Sequence, residues 1–143
     1  MTRRAAVLVL SAPQWSPPGI ALDDWRRALA EDGVDLLAAL AEVEPAVACV
    51  PADRPLADAV VWPAMRVYEV PELTVPAVLG AAGRDGYEQV AILSPDAPDL
   101  PAMLIGKLLR PLTTRTLAIA PAVNGAGLLG LAARLPAPAW LPP

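Results

Sequence analysis

Apolar runs alternate along the chain with stretches of helical periodicity, and prolines and glycines separate them. Ala5–Leu10 is a continuous aliphatic run, the pattern of a strand buried on both faces. The basic start ahead of it imitates a signal peptide. The run is short and no cleavage site follows, so a first strand is the expectation. The loop Ser11–Gly19, SAPQWSPPG, forbids helix through its prolines and terminal glycine. Asp23 and Asp24 then open a helix, where carboxylates suit the positive end. Trp25, Leu29, Leu36, Leu37 and Leu40 recur at helical spacing. Gly33 is expected to kink this helix or end a first segment near Asp32, and Pro45 to close it.

Ala46–Val50 reads as a second strand and Pro51–Pro55 as a turn. Leu56–Val61 fits a short helix or a strand equally well. Met65–Val70 is a third, alternating strand. Thr74 is a good N-cap for a helix over Val75–Ala82, with Pro76 tolerated in its first turn and Gly83 or Gly86 taking a left-handed cap. Gln89–Ser94 is a buried strand. A turn carrying Asp96 follows, and Asp99 is placed to cap a helix from Leu100 to about Pro111. Thr116–Ala120 is a fifth strand. A glycine-rich turn, Asn124–Gly127, leads to a short apolar segment, Leu128–Ala133. The stretch LPAPAWLPP, residues 135–143, has too many prolines for regular structure; it is expected to lie over the surface, pinned by Trp140. Alternation of strands and helices predicts an α/β fold with a mostly parallel central sheet and helices on both faces, a three-layer domain over residues 1–134 followed by a Pro-rich tail at 135–143.

At 143 residues one domain is the simplest organisation. Apolar residues make up 55% and mean hydropathy is +0.45, yet no apolar run reaches the roughly 18 residues of a membrane helix. Net charge is −4 and the basic residues are scattered, so neither a membrane nor a nucleic-acid partner is expected. The absence of histidine removes Ser-His-Asp and Cys-His catalysis and the usual zinc ligands. Cys49, the single cysteine, sits in the apolar run AVACV and reads as a small core residue. The aliphatic, Ala- and Pro-rich composition points to a bacterial, cytoplasmic protein.

An acidic residue at the carboxyl end of a central strand is where α/β sheets place ligand chemistry, and this makes Asp96 the first candidate, against a plain turn former. Asp99 is more simply a helix cap, and Asn124-Gly125 a turn dipeptide. The loop after the first strand, with Ser11, Ala12, Pro13 and Gly19, lines the same region. Trp15 within it could stack on a base or cover the sheet edge. Arg26 and Arg27 could reach a phosphate, but a solvated helix face is the simpler reading.

The block SPDAPDLP, Ser94–Pro101, resembles the Asp-x-Pro-Asp-Leu-Pro motif that follows a strand in nucleotide-diphospho-sugar transferases of the glycosyltransferase-A (GT-A) type, with closest likeness to a little-characterised bacterial branch. It is also similar to the related molybdenum-cofactor guanylyltransferases. PAVNGAGLLGL, Pro121–Leu131, stands where that branch has Pro-Ala-x-Asp-Gly-Gly and Leu-Ile-Gly-Leu. VLVLSAP, residues 7–13, sits where these proteins have a strand ending in Lys-x-Pro. The resemblance implies a Rossmann-like, GT-A-like domain that binds a nucleotide sugar at its carboxyl edge. It implies Mg²⁺ or Mn²⁺ on Asp96, helped by Asn124, and approach of the nucleotide by Ser11, Ala12, Pro13 and Gly19.

Departures accompany the match. Ser11 replaces the lysine of the first loop, and Ile20, Ala21 and Leu22 follow Gly19 with no basic residue before Arg26. Asn124 replaces an aspartate and Ala126 a glycine. PELTVP stands where Gly-Asp-Leu-Gly is usual. These changes point to a degenerate relative, in which no catalytic base or nucleophile is assigned. Two other readings stay open: a non-catalytic binding or assembly subunit, pairing as a homodimer or with a protein partner, and a biosynthetic enzyme using the old pocket for another small molecule.

Overall fold

The computed structural model describes residues 3–11, 17–39, 43–93, 117–121 and 128–135. Four strands alternate with helices: β1 (Arg4–Val9), α1 (Leu22–Ala38), β2 (Glu44–Cys49), a 3₁₀ turn (Pro51–Asp53), α2 (Arg54–Val60), β3 (Arg66–Glu69), α3 (Val75–Arg84) and β4 (Gln89–Leu93). Two more strands, β5 (Leu117–Pro121) and β6 (Leu128–Arg134), complete a six-stranded sheet in the order β3-β2-β1-β4-β6-β5. The first four are mutually parallel. β6 runs antiparallel to both neighbours and inserts between β4 and β5.

Alternate residues of the central strands feed two cores. Ala6, Leu8, Val47, Cys49, Ala91 and Leu93 meet α1 and α2 through Ala30, Val34, Leu37, Ala57 and Val60. Ala5, Val7, Ala46, Ala48, Val90 and Ile92 meet α3 through Val78, Leu79 and Ala82. The three layers follow from this double burial: each fully buried Val or Leu contributes about 1.5–3 kcal/mol, and a strand clad on both faces collects it at every position.

Local chemistry explains the boundaries of α3. Thr74 caps α3, its Oγ1 accepting from the Ala77 N–H at 3.3 Å, and Pro76 sits in the first turn. Gly86 takes the left-handed conformation (φ 91°) that turns the chain toward β4. Gly83 stays inside the helix, so of the two candidate caps only Gly86 is one.

Two expectations are corrected. α1 runs through Gly33 without ending there, because the missing side chain lets the helix approach Leu8 closely. Pro45 does not close that helix; α1 stops at Ala38 and Pro45 lies within β2. Leu56–Val61, left open between helix and strand, falls mainly in α2. The apolar segment Leu128–Ala133 is strand β6. Among the described residues no helix is long and apolar enough to cross a membrane. The expected helix from Leu100 and the tail beyond Leu135 lie outside the described residues.

Candidate functional site

The carboxyl ends of the four parallel strands form one edge of the sheet. β1 continues past its end, with the Leu10 N–H donating to Ala48 O at 2.9 Å. β3 continues likewise, Val70 N–H to Cys49 O at 2.9 Å. Leu93 of β4 pairs with Leu8 of β1. Ser11 and the strand preceding SPDAPDLP therefore share this edge, although the strands are separated by most of the chain.

Helix α1 delivers a side chain here that sequence reasoning set aside. Arg26 and Gly33 are seven residues apart, two helical turns, and so lie on one face. Gly33 packs over Leu8, and Arg26 reaches Leu10, just past the end of β1, donating from Nη2 to Leu10 O at 2.6 Å. The same guanidinium grips Asp53 twice, Nη1 to Oδ1 at 3.2 Å and Nη2 to Oδ2 at 2.7 Å. The two side chains are only 19% and 23% exposed, so the pair is shielded from solvent. The Arg26 Nε is buried and finds no acceptor among the described residues. Arg26 is thus no solvated helix face; Arg27 is, pairing with Glu31 on the outside.

Asp53 stands at the N-terminus of α2 yet makes no side-chain cap there, because Arg26 holds its carboxylate. Arg54, next to it, donates to Asp58 at 2.9 Å and to Glu69 at 3.3 Å, tying α2 to the end of β3. This Arg–Asp pairing had no sequence signal. Its partners are 27 residues apart and belong to separate elements.

Of the expected ligand-binding residues, Ser11 is half-buried one residue beyond Leu10, at this edge. Gly19 is exposed at φ 84° in a turn closed by Ile20 N–H to Pro17 O at 3.1 Å. A side chain there would meet nothing within 4 Å, so this glycine serves the backbone turn. Ala12, Pro13, Asp96 and Asn124 lie outside the described residues, as do Asp99 and Trp15. Cys49 is fully buried at the end of β2; burial first, then the negative charge of Glu69, pushes its thiol up, which suits a core residue and not a nucleophile.

Among the described residues no group of three or more Cys, Asp or Glu could hold a metal ion. Asp53, Asp58 and Glu69 are each engaged by an arginine. The described edge by itself therefore does not fit a divalent cation.

Solved structures share this architecture. A candidate nucleotide-diphospho-sugar transferase from Desulfovibrio desulfuricans superposes with a TM-score of 0.72 at 24% identity, over 94% of this chain and 64% of that one. The chain shares the Rossmann-like α/β fold of these structures. Rv0371c from Mycobacterium tuberculosis, determined with manganese, matches at TM-score 0.64 and 9% identity, over 94% of this chain and 72% of that one. A CMP:2-keto-3-deoxy-manno-octonic acid synthetase in complex with CTP matches at 0.61 and 11%, over 93% and 74%. No family model matches the sequence, and no curated protein is significantly similar. The chain spans 64%, 72% and 74% of the length of these three structures.

Proposed function

We propose that the protein is a transferase-like member of this fold that takes a nucleotide-activated donor, a nucleotide sugar, at the carboxyl edge of its parallel sheet. The observation that carries the reading is the architecture itself: a TM-score of 0.72 to a candidate nucleotide-diphospho-sugar transferase, with β1 and β4 adjacent so that their following loops share an edge. Ligands of open parallel sheets bind outside those ends. Ser11, Ala12, Pro13 and Gly19 would face the nucleotide. A divalent ion, Mg²⁺ or Mn²⁺, would depend on Asp96 and Asn124, since the carboxylates of the described edge are engaged by arginines. Its contribution would be to offset diphosphate charge during transfer.

Arg26 supports a second reading. It is the first basic residue after the first loop, and its charge is already met by Asp53 and the Leu10 carbonyl. A phosphate would have to displace Asp53 to use it. This favours a non-catalytic subunit of the same fold that binds a protein partner or a second copy.

Thermal unfolding with UDP-, GDP- and dTDP-sugars and with CTP, each with and without Mn²⁺, separates the two. A nucleotide at a hundred times its Kd adds about 2.7 kcal/mol of stability. That corresponds to roughly 10 °C in a domain of this size. The donor reading expects a Mn²⁺-dependent rise that Asp96→Ala abolishes. No rise with any nucleotide sinks it and leaves the subunit reading, for which light scattering would then report a dimer.

A further inference from the structure

At the opposite, amino edge of the sheet a cavity of about 350 Å³ opens between the start of β2, the α2–β3 connection and the residue entering β4. The edges are separated by the strand length, about 17–20 Å for five or six residues, so this is not the transferase mouth.

Its walls combine an aromatic ring with apolar surface. Trp62 is 51% exposed, yet its indole N–H donates to Asp35 Oδ1 at 3.0 Å, which holds the ring in place. Pro45 and Met65 add apolar surface. Ala64 adopts φ 69°, a left-handed conformation uncommon outside glycine, in the turn closed by Met65 N–H to Trp62 O at 3.1 Å. Backbone strain of this kind gathers at ligand clamps.

The polar lining is one anion, Glu44, and one cation, Arg66, with Tyr87 beside them. Arg66 is steadied by Asp85 at 3.1 Å, which also accepts from the Tyr68 hydroxyl at 2.7 Å. Glu44 meets Arg3 at 3.4 Å, and both are largely exposed. Glu44 and Arg66 are 57% and 54% exposed, so each keeps a solvent-facing side with which to engage a ligand.

We propose that this cavity binds a small aromatic zwitterion, of the class of a free aromatic α-amino acid. The ring lies on Trp62 between Pro45 and Met65, the ammonium meets Glu44 and the carboxylate meets Arg66. The volume corresponds to about a dozen non-hydrogen atoms, taking about 30 Å³ for each small polar or apolar group as for water. It is at the low end for ligand sites, too small for a nucleotide sugar. With one charge of each sign, the lining has no surplus to neutralise phosphate.

Isothermal titration calorimetry with L-phenylalanine, 2-phenylethylamine, 3-phenylpropionate and adenosine tests the proposal. L-Phenylalanine is expected to bind, and each analogue lacking one charge to bind about tenfold more weakly. Arg66→Gln should bring L-phenylalanine down to the level of 2-phenylethylamine and leave 2-phenylethylamine itself unchanged. Trp62→Ala should abolish all binding, with circular dichroism confirming the fold. The proposal is overturned by no binding up to about 10 mM, by binding indifferent to Trp62→Ala or Arg66→Gln, or by adenosine binding more tightly than L-phenylalanine.

Discussion

Gly33→Ala tests the close approach that positions Arg26. In an ordinary helix interior this change stabilises by about 1 kcal/mol, because alanine loses less backbone entropy on folding. Here the new methyl would stand 2.9 Å from Leu8 Cδ2 and 3.0 Å from Cδ1. Carbon atoms settle at about 3.5–4.0 Å, so the end of Leu8 must retreat by roughly 0.5–1 Å. Leu8 is 2% exposed and packed among Ala30, Val34 and Leu37, which leaves little room. Overpacking of this kind costs about 1–3 kcal/mol. The balance is a net destabilisation of about 1 kcal/mol, read as a lower urea midpoint at unchanged m. Leu8→Val shortens the opposing side chain. The Gly33→Ala/Leu8→Val double variant should therefore be more stable than the sum of the singles predicts by about 1 kcal/mol. A Gly33→Ala protein more stable than wild type would refute the reasoning, as would strict additivity with Leu8→Val.

Two further outcomes follow from side chains that the folded state shifts. Burial first, then the hydrogen bond to Asp85, pushes the Tyr68 phenol up. The folded chain then holds this proton more tightly than the unfolded one, so the associated stability is intact below the ordinary phenol value of about 10 and is lost as pH rises past it. Urea midpoints should fall above about pH 10, and Tyr68→Phe should flatten that slope, leaving the share due to Tyr87, whose phenol is also raised by burial. An unchanged slope would rule the account out. Cys49, fully buried with its thiol pushed up, should resist a thiol-specific disulfide reagent at neutral pH until urea unfolds the chain. Reaction of the native protein at the rate of a free thiol would contradict that placement.

The fold class was legible because double burial writes itself into composition. AAVLVL and VAIL are continuous aliphatic runs, as strands clad on both faces are, and helical periodicity alternates with them. Thr74 and Gly86 were legible for local reasons: a hydroxyl that can cap and a residue free to turn left-handed. The reading of Gly33 as a helix end failed by the same local logic. Backbone freedom suggests a break, whereas the value of this glycine lies in what it lets touch Leu8, a residue far away in sequence. The direction of β6 was equally out of reach, since an apolar run pairs in either sense and the partner decides.

The candidate site divides along the same line. From sequence alone came the proposal of ligand chemistry at the carboxyl edge, and the loop after β1 with Ser11 and Gly19. Tertiary structure alone decided that Arg26 turns inward to Asp53 and Leu10, and that Glu44, Trp62 and Arg66 gather around a cavity at the other edge. Strand and helix signals are short-range, carried by neighbours in the chain, and so they survive in one dimension. Ion pairs and cavities are contacts between elements tens of residues apart, and nothing in the linear spacing records which of the scattered charges will meet.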